Sequence, residues 1–219
     1  MVNFIEVAAA VALALIALPV AVQAQNGPIG IDLSKMEPGR PPQDFEFLRT
    51  GQGAPATWTV VADPTATNGR AIAQTSTDRT DYRFPLAVYK PISLKDVEVT
   101  VRFKPVAGKV DQAGGIAVRL TTPDDYYVVR ANALEDNVRF YRVVKGNRQQ
   151  IAGANTKVAS GEWHTLALKA QGDRFTVSFD GKQLYTTEDK TFGNPGKIAL
   201  WTKADSVTHF DRIAITPLQ

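Results

Sequence analysis

Cysteine is absent from the 219 residues, and histidine occurs only twice. Without disulfides, the hydrophobic core must hold the fold by itself. His164 and His209, with no Cys beside them, are too few for a structural zinc site, and each suits an ordinary polar role in a strand. No Gly-rich phosphate loop and no Gly-x-Ser-x-Gly nucleophile elbow occurs. The 25 Lys and Arg are scattered among 22 Asp and Glu, for a net +3. A scattered small excess argues against nucleic acid and only weakly for an anionic partner. Helical periodicity is missing after the N-terminal apolar segment, and no block repeats, which argues against a propeller.

That segment, Val7–Val22, is almost wholly apolar and ends in Val22-Gln23-Ala24, an A-x-A-like peptidase site. It carries Glu6 and no base, which is atypical of a signal sequence. An uncleaved anchor is the other reading, since the run is near the lower limit for a span. Pro19 and the small residues before Ala24 favour cleavage. The expectation is a signal peptide over 1–24 and one domain over 25–219, periplasmic or secreted, with no stable membrane anchor once the leader is removed. No Cys follows the run, so no lipid is attached there. The chain length suits a single sizeable core.

What is present is a series of short runs with period-two alternation. Val97, Val99, Val101 and Phe103 alternate with Glu98, Thr100, Arg102 and Lys104. Asp111–Arg142 predicts three adjacent antiparallel strands, Gly115–Leu120, Tyr126–Asn132 and Asn137–Val144. Arg174–Phe179 alternates and is followed by Asp180-Gly181, a two-residue hairpin turn. Further runs lie at Phe45–Leu48, Trp58–Val61, Ala71–Gln74, Leu86–Tyr89, Trp163–Ala170, Gly196–Lys203 and Thr208–Ile215, with a weaker one at Arg148–Ala154. About a dozen strands near ten residues apart predict an all-β sandwich or barrel.

The strings GEWHTLALKAQGDRFTVSFDGKQL and GKIALWTKADSVTHFDRIAI resemble the last third of concanavalin A-like jelly-roll domains. Laminin G-like domains and bacterial 3-keto-disaccharide hydrolase domains share this layout. YYVVRANALEDNVRFY and LWTKADSV resemble the second group most. The resemblance implies a two-sheet jelly roll that binds or processes glycosides; a laminin G-like interaction module or a structural envelope protein is the alternative. The Glu-x-Asp-x-x-Glu string of family-sixteen glucanases is absent. Ala113-Gly114-Gly115 stands where the better-described hydrolases carry Asn-Ser-Gly. Such jelly rolls often tie first and last strands through a calcium ion, which would place Asp32 and Asp211 as its ligands.

Alternation assigns a candidate binding face to Arg102, Arg119, Arg130, Asn132, Trp201 and Lys203, with Asp111 and Gln112 at its edge. An indole stacks on the apolar face of a pyranose, and Arg, Lys and Asn donate to hydroxyls or a carboxylate. The same pattern is met if Trp201 is core and the arginines pair with carboxylates. Trp58 and Trp163 read as core. Asp124, Asp125, Glu135, Asp136 and Asp205 read mostly as turn formers, so no catalytic pair of carboxyls is assigned.

Overall fold

The computed structural model describes residues 1–2 and 27–219; the expected signal peptide lies outside the described residues. Fifteen strands follow in order: β1 Ile29–Gly30, β2 Phe45–Gly51, β3 Trp58–Ala62, β4 Arg70–Gln74, β5 Arg83–Leu94, β6 Val97–Ala107, β7 Ala113–Thr122 and β8 Asp125–Asn132; then β9 Asn137–Val144, β10 Asn147–Asn155, β11 His164–Gln171, β12 Arg174–Phe179, β13 Lys182–Glu188, β14 Gly196–Trp201 and β15 Val207–Pro217. They form two antiparallel sheets. One runs β13-β12-β11-β6-β15-β4-β3, with β1 also on β15; the other runs β10-β9-β8-β7-β14-β5-β2. The expected trio is present as β7, β8 and β9, paired in that order.

Alternation accounts for the packing. Val97, Val99, Val101 and Phe103 of β6 are buried and their polar neighbours half-buried. These residues meet Ile116, Val118, Tyr127, Val129, Phe140, Ile198 and Leu200 of the second sheet in one core between the layers. At about 25 cal/mol per Å² of apolar surface, this burial is the main stabilising term in a chain without disulfides. Asp180 and Gly181 take φ of 47° and 78°, the positive values that a tight two-residue hairpin requires.

The second sheet carries a further apolar layer on its outer face: Phe84, Leu86, Val88, Ala117, Tyr126, Val128, Tyr141, Val143 and Trp201. Thr50 on edge strand β2 donates to the backbone carbonyl of Pro123 in the β7–β8 turn and lies 2.7 Å from the Tyr126 hydroxyl on β8. β8 is four strands from β2, roughly 19 Å away in a flat sheet. A threonine can bridge that span only if the sheet bows toward this face. The outer face of the seven-stranded sheet is therefore concave.

Candidate functional site

The concave face holds an aromatic floor and a polar layer above it. Trp201 is fully buried, stacked on Phe84 with ring centroids 5.3 Å apart. Its indole N–H points at the Tyr126 hydroxyl, 3.3 Å away. Gly115 makes room for it, since a Cβ there would stand 3.3 Å from the indole and 2.6 Å from the Val129 carbonyl oxygen. Burial pushes the Tyr126 phenol up, well above its ordinary range. Trp201 is thus floor, and the expected exposed platform at this residue is corrected: Phe84 and the side chains above it cover the indole.

Arg148 on β10 lies over that floor. Its guanidinium carbon is 4.5 Å from the Tyr141 ring centroid, 4.6 Å from Phe84 and 5.8 Å from Trp201. Beside it stands Tyr82, 42% exposed, the one exposed aromatic side chain among the described residues. Its hydroxyl donates to the Gly146 carbonyl at 2.7 Å and accepts the Arg148 N–H at 2.9 Å. The ring edges onto Phe84 at 4.8 Å. Tyr82 is consequently fixed at its tip and its base while part of the side chain stays in solvent. A shallow groove beside it is lined by Arg49, Gln52, Asp124, Lys145 and Asn147.

Next in line are the ion pairs. Lys203 Nζ is 2.7 Å from Asp81 and 2.9 Å from Asp111. Burial opposes the Lys203 charge, but the hydrogen bonds and charges of the two aspartates raise its pKa overall. Asp111 is 1% exposed, and burial raises its pKa despite the ammonium. Asn132 donates to Asp111 at 2.6 Å and accepts the Leu134 N–H at 2.9 Å. Arg130 donates to Glu135 at 2.7 Å, to the Tyr141 hydroxyl at 3.1 Å and to Asn137. Gln112 is held by the Gly108 carbonyl and Ser160.

Of the residues expected to share one face, Asp111, Arg130, Asn132, Trp201 and Lys203 come together here, with Gln112 at the edge. Arg119 and Arg102 do not. Pairing of β7 with β8 breaks between Val118 and Thr122, and Arg119 takes a φ of 51°. That irregularity turns its fully buried side chain inward, to the carbonyls of Lys95, Phe192 and Gly172, with Phe175 at 5.2 Å. Simple alternation fails at a bulge.

Arg102 stands on the outer face of the other sheet, 4.6 Å over the Trp163 ring and bound to Asp211 at 3.0 Å. Trp163 is therefore half-buried on that outer face, not in the core as expected, and its indole N–H donates to Thr65 at 2.9 Å.

Asp32 and Asp211, the expected calcium ligands, do line one shallow depression with Thr67 and Asn68. The donor set does not suit the ion. Both Asp211 oxygens lie against the Arg102 guanidinium, and one also accepts the Thr67 N–H. Asp32 accepts the Ser34 N–H and faces Lys35 at 3.9 Å. Among the described residues no three His, Asp or Glu converge as a metal cage. Asp205 caps the backbone N–H groups of Lys109, Val110 and Asp111, while Asp136 caps Val158. Asp125 accepts from Lys145, so these three are turn formers.

Asp81, Tyr82 and Arg148 escaped the sequence reading. An aromatic set in the polar stretch Thr75–Arg83 was the available signal, since loop aromatics have no core to fill.

Two stacked antiparallel sheets with a concave outer face define a β-sandwich of the concanavalin A-like, galectin-like kind. The family model described as galactocerebrosidase, C-terminal lectin domain, matches residues 86–218, and the chain belongs to that family. No curated protein matches the chain. Carbohydrate-binding module CBM66 from Bacillus subtilis is similar at 20% identity and a TM-score of 0.59, over 78% of this chain and 94% of that one. A Bacillus licheniformis beta-glucanase is similar at 15% identity and 0.54, over 90% and 100%. A Bacillus subtilis protein with a galectin-like fold is similar at 12% and 0.55, over 80% and 89%. At these identities the likeness concerns the fold alone.

Proposed function

We propose that the chain is a non-catalytic glycan-binding domain that seats a sugar on the concave face, against Tyr82. The observation that carries this is an exposed ring with its hydroxyl tied at both ends. A sugar that stacks on it loses little side-chain freedom, which favours binding. Lys203, Asp81 and Glu135 stand in the same polar layer to meet hydroxyls. Arg148, Lys203 and Glu135 lie within the region matched by the lectin-domain family model.

Cleavage is disfavoured by the placement of the carboxyls. A glycosidase needs two that reach the scissile bond from a cleft. Asp111 is sealed under Asn132 and Lys203, Asp81 pairs with the same ammonium, Glu135 pairs with Arg130, and Asp124 is the one carboxylate lining the groove beside Tyr82. The resemblance to 3-keto-disaccharide hydrolases keeps 3-keto-glucosides in the ligand panel. Release of a sugar from them by the purified chain would overturn the non-catalytic reading.

Titration calorimetry against an oligosaccharide panel tests binding. Tyr82→Ala should weaken it at least about tenfold, the order of one stacking contact, with an unchanged melt. Wild-type affinity in that variant would remove Tyr82 from the site. Export belongs to the same proposal and rests on Val7–Val22 and the Val-Gln-Ala ending. N-terminal sequencing of the exported chain should begin at Gln25; a retained Met1 would refute it.

A further inference from the structure

Arg148 makes no side-chain hydrogen bond and no ion pair among the described residues. The chain's other arginines that lack a partner there, Arg40 and Arg174, stand exposed in water. Arg148 is half-buried over three aromatic rings, and its Nη1 is shielded from solvent with no acceptor. Its Nε and Nη2 also lack partners but are not sealed from solvent, so that edge of the guanidinium is open to a partner from outside the chain. The nearby carboxylates do not serve it. Asp81 is close enough for Arg148 to lower its pKa, yet its oxygen turns to Lys203 at 2.7 Å, whose hydrogen bond is the largest cause of that lowering. Asp111 shares that ammonium, and Glu135 takes Arg130. The aromatic floor shields Nη1 and holds the guanidinium plane in place, while the fork formed by Nε and Nη2 stays unpaired. A planar fork held this way matches a carboxylate with two parallel N–H···O bonds. Tyr82, tied to the Arg148 backbone, sets a stacking surface beside it.

We infer that the sugar taken by this face is a uronic acid, its carboxylate received by the Arg148 guanidinium while its ring lies on Tyr82. The inference rests on the glycan-binding reading and narrows it to one ligand class.

Calorimetry with galacturonate and glucuronate trisaccharides, each beside its methyl ester and its neutral hexose counterpart, tests it. At low salt one acid should bind at least about tenfold more tightly than its ester, with the gap narrowing as salt rises. Arg148→Gln should erase the difference between acid and ester. If that variant melts early, Arg148→Lys, which keeps the charge and the stack but loses the fork, should cut the difference several-fold. Equal binding of acid, ester and neutral sugar would overturn the inference and leave the glycan-binding reading standing. Acid preference that survives in both Arg148 variants would also overturn it. Binding to no member of the panel would overturn both.

Discussion

Arg119 and Arg148 are two guanidiniums packed against aromatic rings with opposite hydrogen-bond accounts. Arg119 is sealed between the sheets and donates to three backbone carbonyls, with Asp96 3.4 Å away. The Arg148 side chain crosses the concave face and donates to no partner among the described residues. A guanidinium with its donors consumed at home joins segments of the fold. One held rigid with its donors unspent is placed for something that arrives. The lesson extends to carboxylates, since both oxygens of Asp205 accept backbone N–H groups while Glu135 keeps 45% of its side chain in solvent.

The sharpest way to break this contrast is to truncate each arginine. Arg119→Ala leaves three half-buried carbonyls without their donor and a cavity in place of a fully buried side chain, a loss of about 3 kcal/mol. In a chain of this size the melting temperature should fall by roughly 10 °C. Arg148→Ala loses only the contact of a cation with aromatic rings, about 1 kcal/mol, or roughly 3 °C. Thermal melts of the two variants should therefore differ clearly, with the preference for the acidic sugar lost in Arg148→Ala. Equal falls would mean that Arg148 is as structural as Arg119.

Acid titration sharpens the carboxylate side. Asp63 is buried, which works to raise its pKa, but hydrogen bonds from Lys104, His209 and Thr65 hold it well below the ordinary range. Asp205 is lowered in the same way by backbone N–H groups, and backbone bonds from Ala54 and Thr80 bring Asp78 to about 2. Each folded pKa lies below the unfolded one, so this stability is present above about pH 4 and drains away as pH falls toward about 2. Asp111 acts in the opposite sense. Its raised pKa contributes below the unfolded value and is lost as pH rises, so it offsets part of the fall. The melting temperature should drop between pH 4 and pH 2, and less steeply in Asp63→Asn. A flat profile would show that these carboxylates are not held as described.

The smallest effect is expected from chelation. With Asp211 already occupied by Arg102 and the Thr67 N–H, removing divalent cations should leave the melting temperature unchanged. A fall of several degrees would place an ion at Asp32 and Asp211 after all.

Much of the architecture was legible because strands announce themselves by alternation. Asn137–Val144 and Arg174–Phe179 have the bounds their sequence predicts, and the alternating residues from Val97 to Lys104 all fall within β6. The site was legible in half. Alternation puts Arg130, Asn132 and Trp201 on one face because it holds along β8 and β14, and Lys203 keeps to that face two residues past the end of β14. Arg119 was misplaced because one irregularity in β7 reverses its direction, and nothing in Val118-Arg119-Leu120 signals a bulge. Arg102 was misplaced because period two tells which side of its own sheet a residue faces, not which sheet holds it. Alternation alone leaves Trp201 between floor and platform, and only the curvature of the sheet, which brings Arg148 and Tyr82 across the floor, decides it.

Amide chemical-shift mapping during a glycan titration tests the central claim most directly. Shifts should cluster at Asp81, Tyr82, Gly146, Arg148 and Lys203, with the strands of the other sheet silent. Shifts centred on Trp163, Arg102 and Lys104, on the opposite outer face, would contradict it.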